Sequence, residues 1–326
     1  MGLRSRVPRI EFRISIANPS TGMPPLAPPR RSPSLISLEL SGSPSNQKLA
    51  MTHSAPLALG DVRSKLTFFL PPPNGEPAYQ YFREVPPGKL RRNSVDDPRD
   101  VVIHNARGLE DTLTLEVNGF EFVKHTSAET EFLDEDAITT RYYAEMEALL
   151  RDHTGAKRVH VYNHIIRRNY EGKGPEVARP ADRVHVDQTF EEGPATLRRI
   201  LPDEAEELLK GRVRIVNVWR PIGAPVHHNP LTVADYRTLS LDDLIPVRLM
   251  RAEAEVNFFN IRYNENLKWY YLKEQTPSEV VLIKCFDSAV DHERARLCPH
   301  GSFNDTTSPP DAPKRQSIEV RAFLFD

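Results

Sequence analysis

A chain of 326 residues, 39% hydrophobic and 27% charged, is ordinary for a soluble globular protein and long enough for one large domain or two small ones. No run approaches the ~18 apolar residues that a membrane helix needs, and two cysteines, Cys285 and Cys298, exclude a disulfide framework and point to a reducing, cytoplasmic setting. The net charge of −2 divides into +5 over residues 1–50 and −7 over the remainder, and an acidic body excludes nucleic acid as the main partner.

Residues 1–60 are expected to form a disordered Pro/Ser-rich extension. Pro24-Pro-Leu-Ala-Pro-Pro29, Arg30-Arg-Ser-Pro-Ser34 and Ser41-Gly-Ser-Pro-Ser45 cannot bury enough apolar surface to offset the cost of ordering. The Arg- and Ser-rich character of residues 1–50 is also that of an organellar targeting segment, and a translation start at Met51 is a third reading. Residues 61–326 read as a single domain. Strands are expected at Leu66–Leu70, Val101–His104, Thr112–Val117 and Phe120–Val123, with Asn118-Gly119 as a hairpin turn between the last two. Tyr79, Tyr81 and Phe82 precede the core as an edge strand, or as a lid. Asp134–Arg151 carries Ile138, Tyr142, Met146, Leu149 and Leu150 at helical spacing, and Pro202–Leu209 is a second, shorter helix. Further strands follow at Val159–Tyr162, Val184–Thr189, Arg212–Trp219, Trp269–Leu272, Glu279–Phe286 and Ser317–Phe325. Many strands, few helices and no Gly-rich phosphate loop indicate a mainly β sandwich or barrel with flanking helices.

The chemistry centres on Arg183-Val-His-Val-Asp-Gln188, where residues two apart on a strand put His185 and Asp187 on one face and Val184 and Val186 on the other. A His-x-Asp arises by chance about 0.6 times in a chain of this composition, so the pair alone is equally a local hydrogen bond. Two His and one carboxylate on one octahedral face hold Fe(II) in non-haem oxygenases and leave three positions open. His227, His228, His292 and His300 are the downstream candidates for the second imidazole. His300 stands apart because Arg315-Gln-Ser317 follows it: Arg315 and Ser317 share a strand face, and a guanidinium fork with a hydroxyl is a clamp for a carboxylate.

With these residues the chain resembles the Fe(II)/2-oxoglutarate-dependent dioxygenases. It is similar in particular to a fungal and bacterial hydroxylase/desaturase group of secondary metabolism that includes gibberellin desaturases and cephalosporin methoxylation proteins. The resembling stretches run from about residue 62 to the end and include Leu66-Thr-Phe-Phe-Leu-Pro-Pro72, Val101-Val-Ile-His-Asn-Ala-Arg-Gly108, Asn217-Val-Trp-Arg-Pro-Ile222 and Ser317-Ile-Glu-Val-Arg321. The resemblance implies a double-stranded β-helix (jelly-roll, cupin-like) core, iron held by His185, Asp187 and His300, and the distal carboxylate of 2-oxoglutarate on Arg315 and Ser317. It further implies consumption of 2-oxoglutarate and O₂ to oxidise a small molecule by hydroxylation or desaturation, with release of succinate and CO₂. Gly301 departs from the hydroxyl residue expected after Pro299-His300. Two rivals share the fold: a cupin-like metal enzyme without 2-oxoglutarate, and a non-catalytic jelly-roll binding protein. Asn217, Trp219 and Arg321 are candidates for the substrate or co-substrate pocket, Asn217 and Trp219 also reading as core residues and Arg321 as a replacement clamp, while Arg220 reads as an outer-face salt bridge or as a partner for a substrate carboxylate. Oligomeric state and the identity of the substrate are not legible.

Overall fold

The computed structural model describes residues 57–82, 84–168, 181, 183–251 and 255–326. The expected extension over residues 1–60 lies outside them except for its last four residues. Fourteen strands appear among the described residues: β1 (Val62–Leu70), β2 (Ala78–Tyr81), β3 (Val95–Asn105), β4 (Phe120–Lys124), β5 (Arg158–Arg168), β6 (His185–Val186), β7 (Val213–Pro221), β8 (Leu231–Ala234), β9 (Leu244–Met250), β10 (Glu255–Ile261), β11 (Trp269–Tyr271), β12 (Glu279–Asp287), β13 (His300–Ser302) and β14 (Gln316–Phe325). The helices are α1 (Glu135–Ala137), which continues through a π-type turn at Ile138–Tyr142 into α2 (Tyr143–Thr154), then α3 (Glu192–Ile200) and α4 (Ala205–Leu208).

The strands form two sheets, β1-β3-β11-β8-β13-β6-β10-β9-β2 and β4-β12-β7-β14-β5. Alternation along the smaller sheet explains why they stack into a jelly-roll. On β7, Val213, Ile215 and Trp219 join Phe323 of β14 and Ile283 of β12 in a core that also contains Val233 of the larger sheet. Their neighbours Val216, Val218, Ile318, Val320, Ala322 and Leu324 face the other way, onto Ile138, Tyr142, Met146 and Leu150 of the helical layer. Every residue of β7 and β12 is therefore buried, including the polar Arg214, Asn217, Arg220, Lys284 and Asp287 that interrupt their apolar sequences. Each fully buried aliphatic or aromatic side chain contributes roughly 1.5–3 kcal/mol to holding the layers together. α2 stops where Gly155 adopts the left-handed conformation, at φ 69°.

The expected strand at Thr112–Val117 is a correction. Leu113 and Leu115 are buried as their alternation implies, but the segment closes on itself, because the Asn118 amide N–H donates to the Thr114 carbonyl (2.8 Å) and its side chain accepts from the Thr114 N–H (2.9 Å). Asn118-Gly119 does turn the chain, yet it delivers β4 to β12 rather than to the preceding segment. Gly119 stands where a Cβ would lie 2.7 Å from the Leu297 carbonyl oxygen, so a side chain there would collide with backbone. Tyr79 and Tyr81 lie on β2, which pairs with β9 at the outer edge of the larger sheet. Arg220 does lie on the outer face of β7, in phase with Val216 and Val218, but the helical layer covers that face and buries it, and its partners are not carboxylates. Its guanidinium donates to the carbonyls of His125 (2.8 Å) and Pro277 (2.6 Å) and to the Tyr142 hydroxyl (3.0 Å), tying β7 to the helical layer.

Candidate metal centre

β6 is two residues long, and its pairing creates the site. It lies between β13 and β10, and His185 is the direct cross-strand neighbour of His300. The two imidazole centroids are 4.6 Å apart. Val184 and Val186 project to the opposite face, into a core with Phe68 and Trp269, so the strand cannot slip by one residue without exchanging histidine for valine. His185 Nδ1 lies 2.9 Å from the Arg183 carbonyl oxygen, and His300 Nδ1 3.0 Å from that of Cys298. A carbonyl only accepts, so in both rings Nδ1 carries a hydrogen, and the neutral form of each ring has its lone pair on Nε2.

Asp187 follows at the end of β6, with Oδ1 3.5 Å from His185 Nε2. One ligand atom from each of His185, Asp187 and His300 falls within 4.8 Å of the others. The opposite sheet supplies the remaining contacts of the carboxylate: Asn217 Nδ2 donates to Oδ2 at 2.9 Å and Arg321 Nε at 3.0 Å. Burial raises the Asp187 pKa, but Arg321 and the two histidines more than offset it and hold the carboxyl well below the usual range. Burial and the charge of His185 lower the His300 pKa, favouring the neutral ring that a metal ligand must be. Cys285 and Cys298 are buried, and burial pushes both thiols up, which disfavours thiolate.

A cleft lined by His185, His300, Trp219, Arg315, Arg167 and Glu319 extends from the histidines. Arg315 precedes β14, stacks at 5.5 Å from the Trp219 ring, and donates through Nη1 to the Asn229 carbonyl. Its Nε and the Ser317 Oγ are both buried without a hydrogen-bond partner. Burial, then the charge of Arg167, push the Arg315 guanidinium below the usual arginine range. An arginine stays protonated, so this strain amounts to an affinity for an anion.

Of the five residues singled out as ligands and clamp, Asp187 joins the two histidines in one cluster, Ser317 lies on β14 two residues beyond Arg315, and His185, His300 and Arg315 line the one cleft. Trp219 is its wall, and Asn217 and Arg321 both reach Asp187. Glu319 was missed: it lies on the same face of β14 as Ser317 and Arg321, and Arg321 Nη2 donates to it at 3.0 Å. Period-two counting from Arg315 would have found it. His292 sits in an exposed turn outside the cluster. A Cβ at Gly301 would lie 3.2 Å from the Arg183 carbonyl oxygen, so the wall is narrow there, and the hydroxyl comes one residue later, where Ser302 donates to the Ala181 carbonyl at 2.8 Å.

A family model described as an oxidoreductase/YMDC permease-like domain matches residues 66–325. An Fe(II)/2-oxoglutarate-dependent dioxygenase, nvfI, of Aspergillus novofumigatus is 34% identical over 266 residues, or 79% of this chain and 94% of the relative. The hydroxylase/desaturase CTB9 of Cercospora beticola is 36% identical over 263 residues, 73% of this chain and 79% of its own length. The solved structure of the iron and alpha-ketoglutarate-dependent endoperoxidase NvfI matches with a TM-score of 0.75 at 32% identity, over 82% of this chain and 99% of that one. The chain belongs to the Fe(II)/2-oxoglutarate-dependent dioxygenase family, within its group of fungal hydroxylase/desaturases.

Proposed function

We propose that this oxygenase holds Fe(II) through His185, Asp187 and His300 and receives the far carboxylate of 2-oxoglutarate on Arg315 and Ser317, so as to oxidise a small organic molecule by hydroxylation or desaturation. The donor set fits the ion: two imidazole Nε2 atoms with their tautomers fixed by backbone carbonyls, one anionic carboxylate and no thiolate suit Fe(II). The observation that carries the co-substrate assignment is that Arg315 Nε and Ser317 Oγ, two residues apart, are both buried and unpartnered, with Arg315 lining the cleft that begins at the histidines. An unsatisfied buried polar atom costs about 1–3 kcal/mol, and a carboxylate accepting from both recovers it.

Bound there, iron supplies the oxidation of 2-oxoglutarate by O₂ to succinate and CO₂ and the removal of hydrogen from a substrate C–H bond. The chain's own residues orient and enclose: Arg315 and Ser317 fix the diacid at its far end, and Trp219, 2% exposed, closes the cleft behind the guanidinium. Residues 61–326 are proposed as the whole catalytic unit, in keeping with the family match over 66–325. No helix among the described residues is long and apolar enough to cross a membrane.

The test is succinate formation by purified protein given Fe(II), ascorbate, 2-oxoglutarate and O₂, with candidate metabolites added in turn. Succinate that depends on both Fe(II) and 2-oxoglutarate is expected. Oxidation of a substrate that proceeds with iron but without 2-oxoglutarate would restore the cupin-like alternative.

A further inference from the structure

We infer that Asn217 and Arg321 are positioning residues that reserve one oxygen of Asp187 and leave the carboxylate a single oxygen to offer a metal. The inference rests on the reading of His185, Asp187 and His300 as ligands and adds to it the device that sets how Asp187 binds. Residues 217 and 321 are direct cross-strand partners on β7 and β14. Both lie on the face turned toward the larger sheet, in phase with Ile215, Trp219 and Phe323. They converge on the same atom, Asp187 Oδ2, at 2.9 and 3.0 Å. A carboxylate oxygen with two donors has both in-plane lone pairs engaged. Oδ1, the oxygen 3.5 Å from His185 Nε2, is the one left for an ion.

Both donors are oriented toward the carboxylate. Asn217 must turn Nδ2 toward the carboxylate, since its carbonyl oxygen there would face another acceptor. Arg321 is anchored from behind by Glu319, which takes Nη2 at 3.0 Å. Burial disfavours the Arg321 charge, but Asp187 and Glu319 more than offset this and keep its pKa above the usual range. A carboxylate held this way cannot chelate through both oxygens, and that keeps a coordination position open for the co-substrate. It also commits Arg321 Nε to Asp187 and Nη2 to Glu319, which argues against Arg321 as the distal clamp.

Asn217 gives the cleaner test. Replacing Arg321 removes a donor and also a positive charge near the ion, and these act on metal affinity in opposite directions. Mn(II) is titrated into the full-length apo protein, with the free ion counted by its electron paramagnetic resonance signal and near-ultraviolet circular dichroism confirming that each variant is folded. Asn217→Leu, which leaves the charge untouched, is expected to bind Mn(II) about 10- to 100-fold more weakly. Asn217→Gln keeps an amide and should recover part of the loss. Arg321→Lys keeps the charge but not the fixed fork, and should weaken binding in the same direction. If Asn217→Leu does not fold, the smaller Asn217→Ala takes its place. Wild-type affinity in a folded Asn217→Leu or Asn217→Ala protein overturns the inference and leaves the metal centre standing. Absence of Mn(II) binding by the wild type overturns both.

Discussion

Replacing Arg315 with glutamine separates two roles that an arginine in a cleft can have. The residue is 7% exposed, and its guanidinium donates to the Asn229 carbonyl and keeps Nε buried without a partner. If a carboxylate of 2-oxoglutarate completes that set, Arg315→Gln removes a charge-assisted contact worth about 1.5–3 kcal/mol, and the dissociation constant for 2-oxoglutarate rises about 10- to 150-fold. Folding without co-substrate should respond little. The arginine already carries the cost of a buried charge beside Arg167, and removing it relieves that cost while losing the contact with Trp219. Iron binding should persist, since no ligand is touched. The assay is anaerobic titration of 2-oxoglutarate into iron-loaded wild type and variant, read by visible absorption, beside thermal unfolding of both without co-substrate. An unchanged 2-oxoglutarate midpoint would refute the clamp; a large loss of thermal stability with the midpoint intact would make Arg315 a structural residue instead.

Three further outcomes are expected. His185→Ala, Asp187→Ala and His300→Ala each abolish succinate formation, whereas His292→Ala, in its exposed turn, retains it; the reverse result for the two histidines would show that the wrong third ligand was chosen. A protein spanning residues 51–326 turns over as the full chain does, because the Pro/Ser tracts lie upstream and the family match begins at residue 66; a large loss of activity in the truncated protein contradicts this. Arg107 pairs with Glu279 through both Nη atoms, and although burial raises the Glu279 pKa, Arg107 and Thr276 hold it down at about 2. A depressed carboxylate contributes stability above its unfolded pKa of about 4.5 and loses it as pH falls toward the folded value. Arg107→Met should therefore cost about 1–2 kcal/mol at neutral pH, limited because 32% of the arginine side chain stays in water, and the gap to wild type should close between about pH 4.5 and 2; a gap that persists at low pH contradicts the linkage.

What the sequence discloses follows from how local each feature is. The helix over Asp134–Arg151 is legible because one face buries Ile138, Tyr142, Met146 and Leu150 at helical spacing, and the core strands β7, β12 and β14 because both of their faces are covered. His185, Asp187, Arg315 and Ser317 are legible because each pair is two residues apart on extended backbone. β9 is hard to read because Pro246 interrupts Leu244–Met250, as is α3, whose Glu192-Gly-Pro start resembles a turn signal. The pairing of His185 with His300 is a register between strands more than a hundred residues apart. The shared target of Asn217 and Arg321 is less local still, because it depends on the register of β7 against β14 and on the two sheets facing each other. Sequence alone offered both residues as pocket candidates without the atom they hold. Arg220 was read as a salt bridge because a strand alone does not reveal that the helical layer will cover its outer face and supply carbonyl and hydroxyl partners.

The account's central claim is that one cleft holds iron at one end and the carboxylate of 2-oxoglutarate at the other. Adding Fe(II) and then 2-oxoglutarate to the wild-type protein without oxygen tests it directly, with glutarate, which lacks the oxo group, as the control. The account predicts a visible charge-transfer band that saturates with 2-oxoglutarate, is absent with glutarate, and does not form in the His300→Ala protein. Iron bound at full occupancy with no band at any 2-oxoglutarate concentration would contradict it.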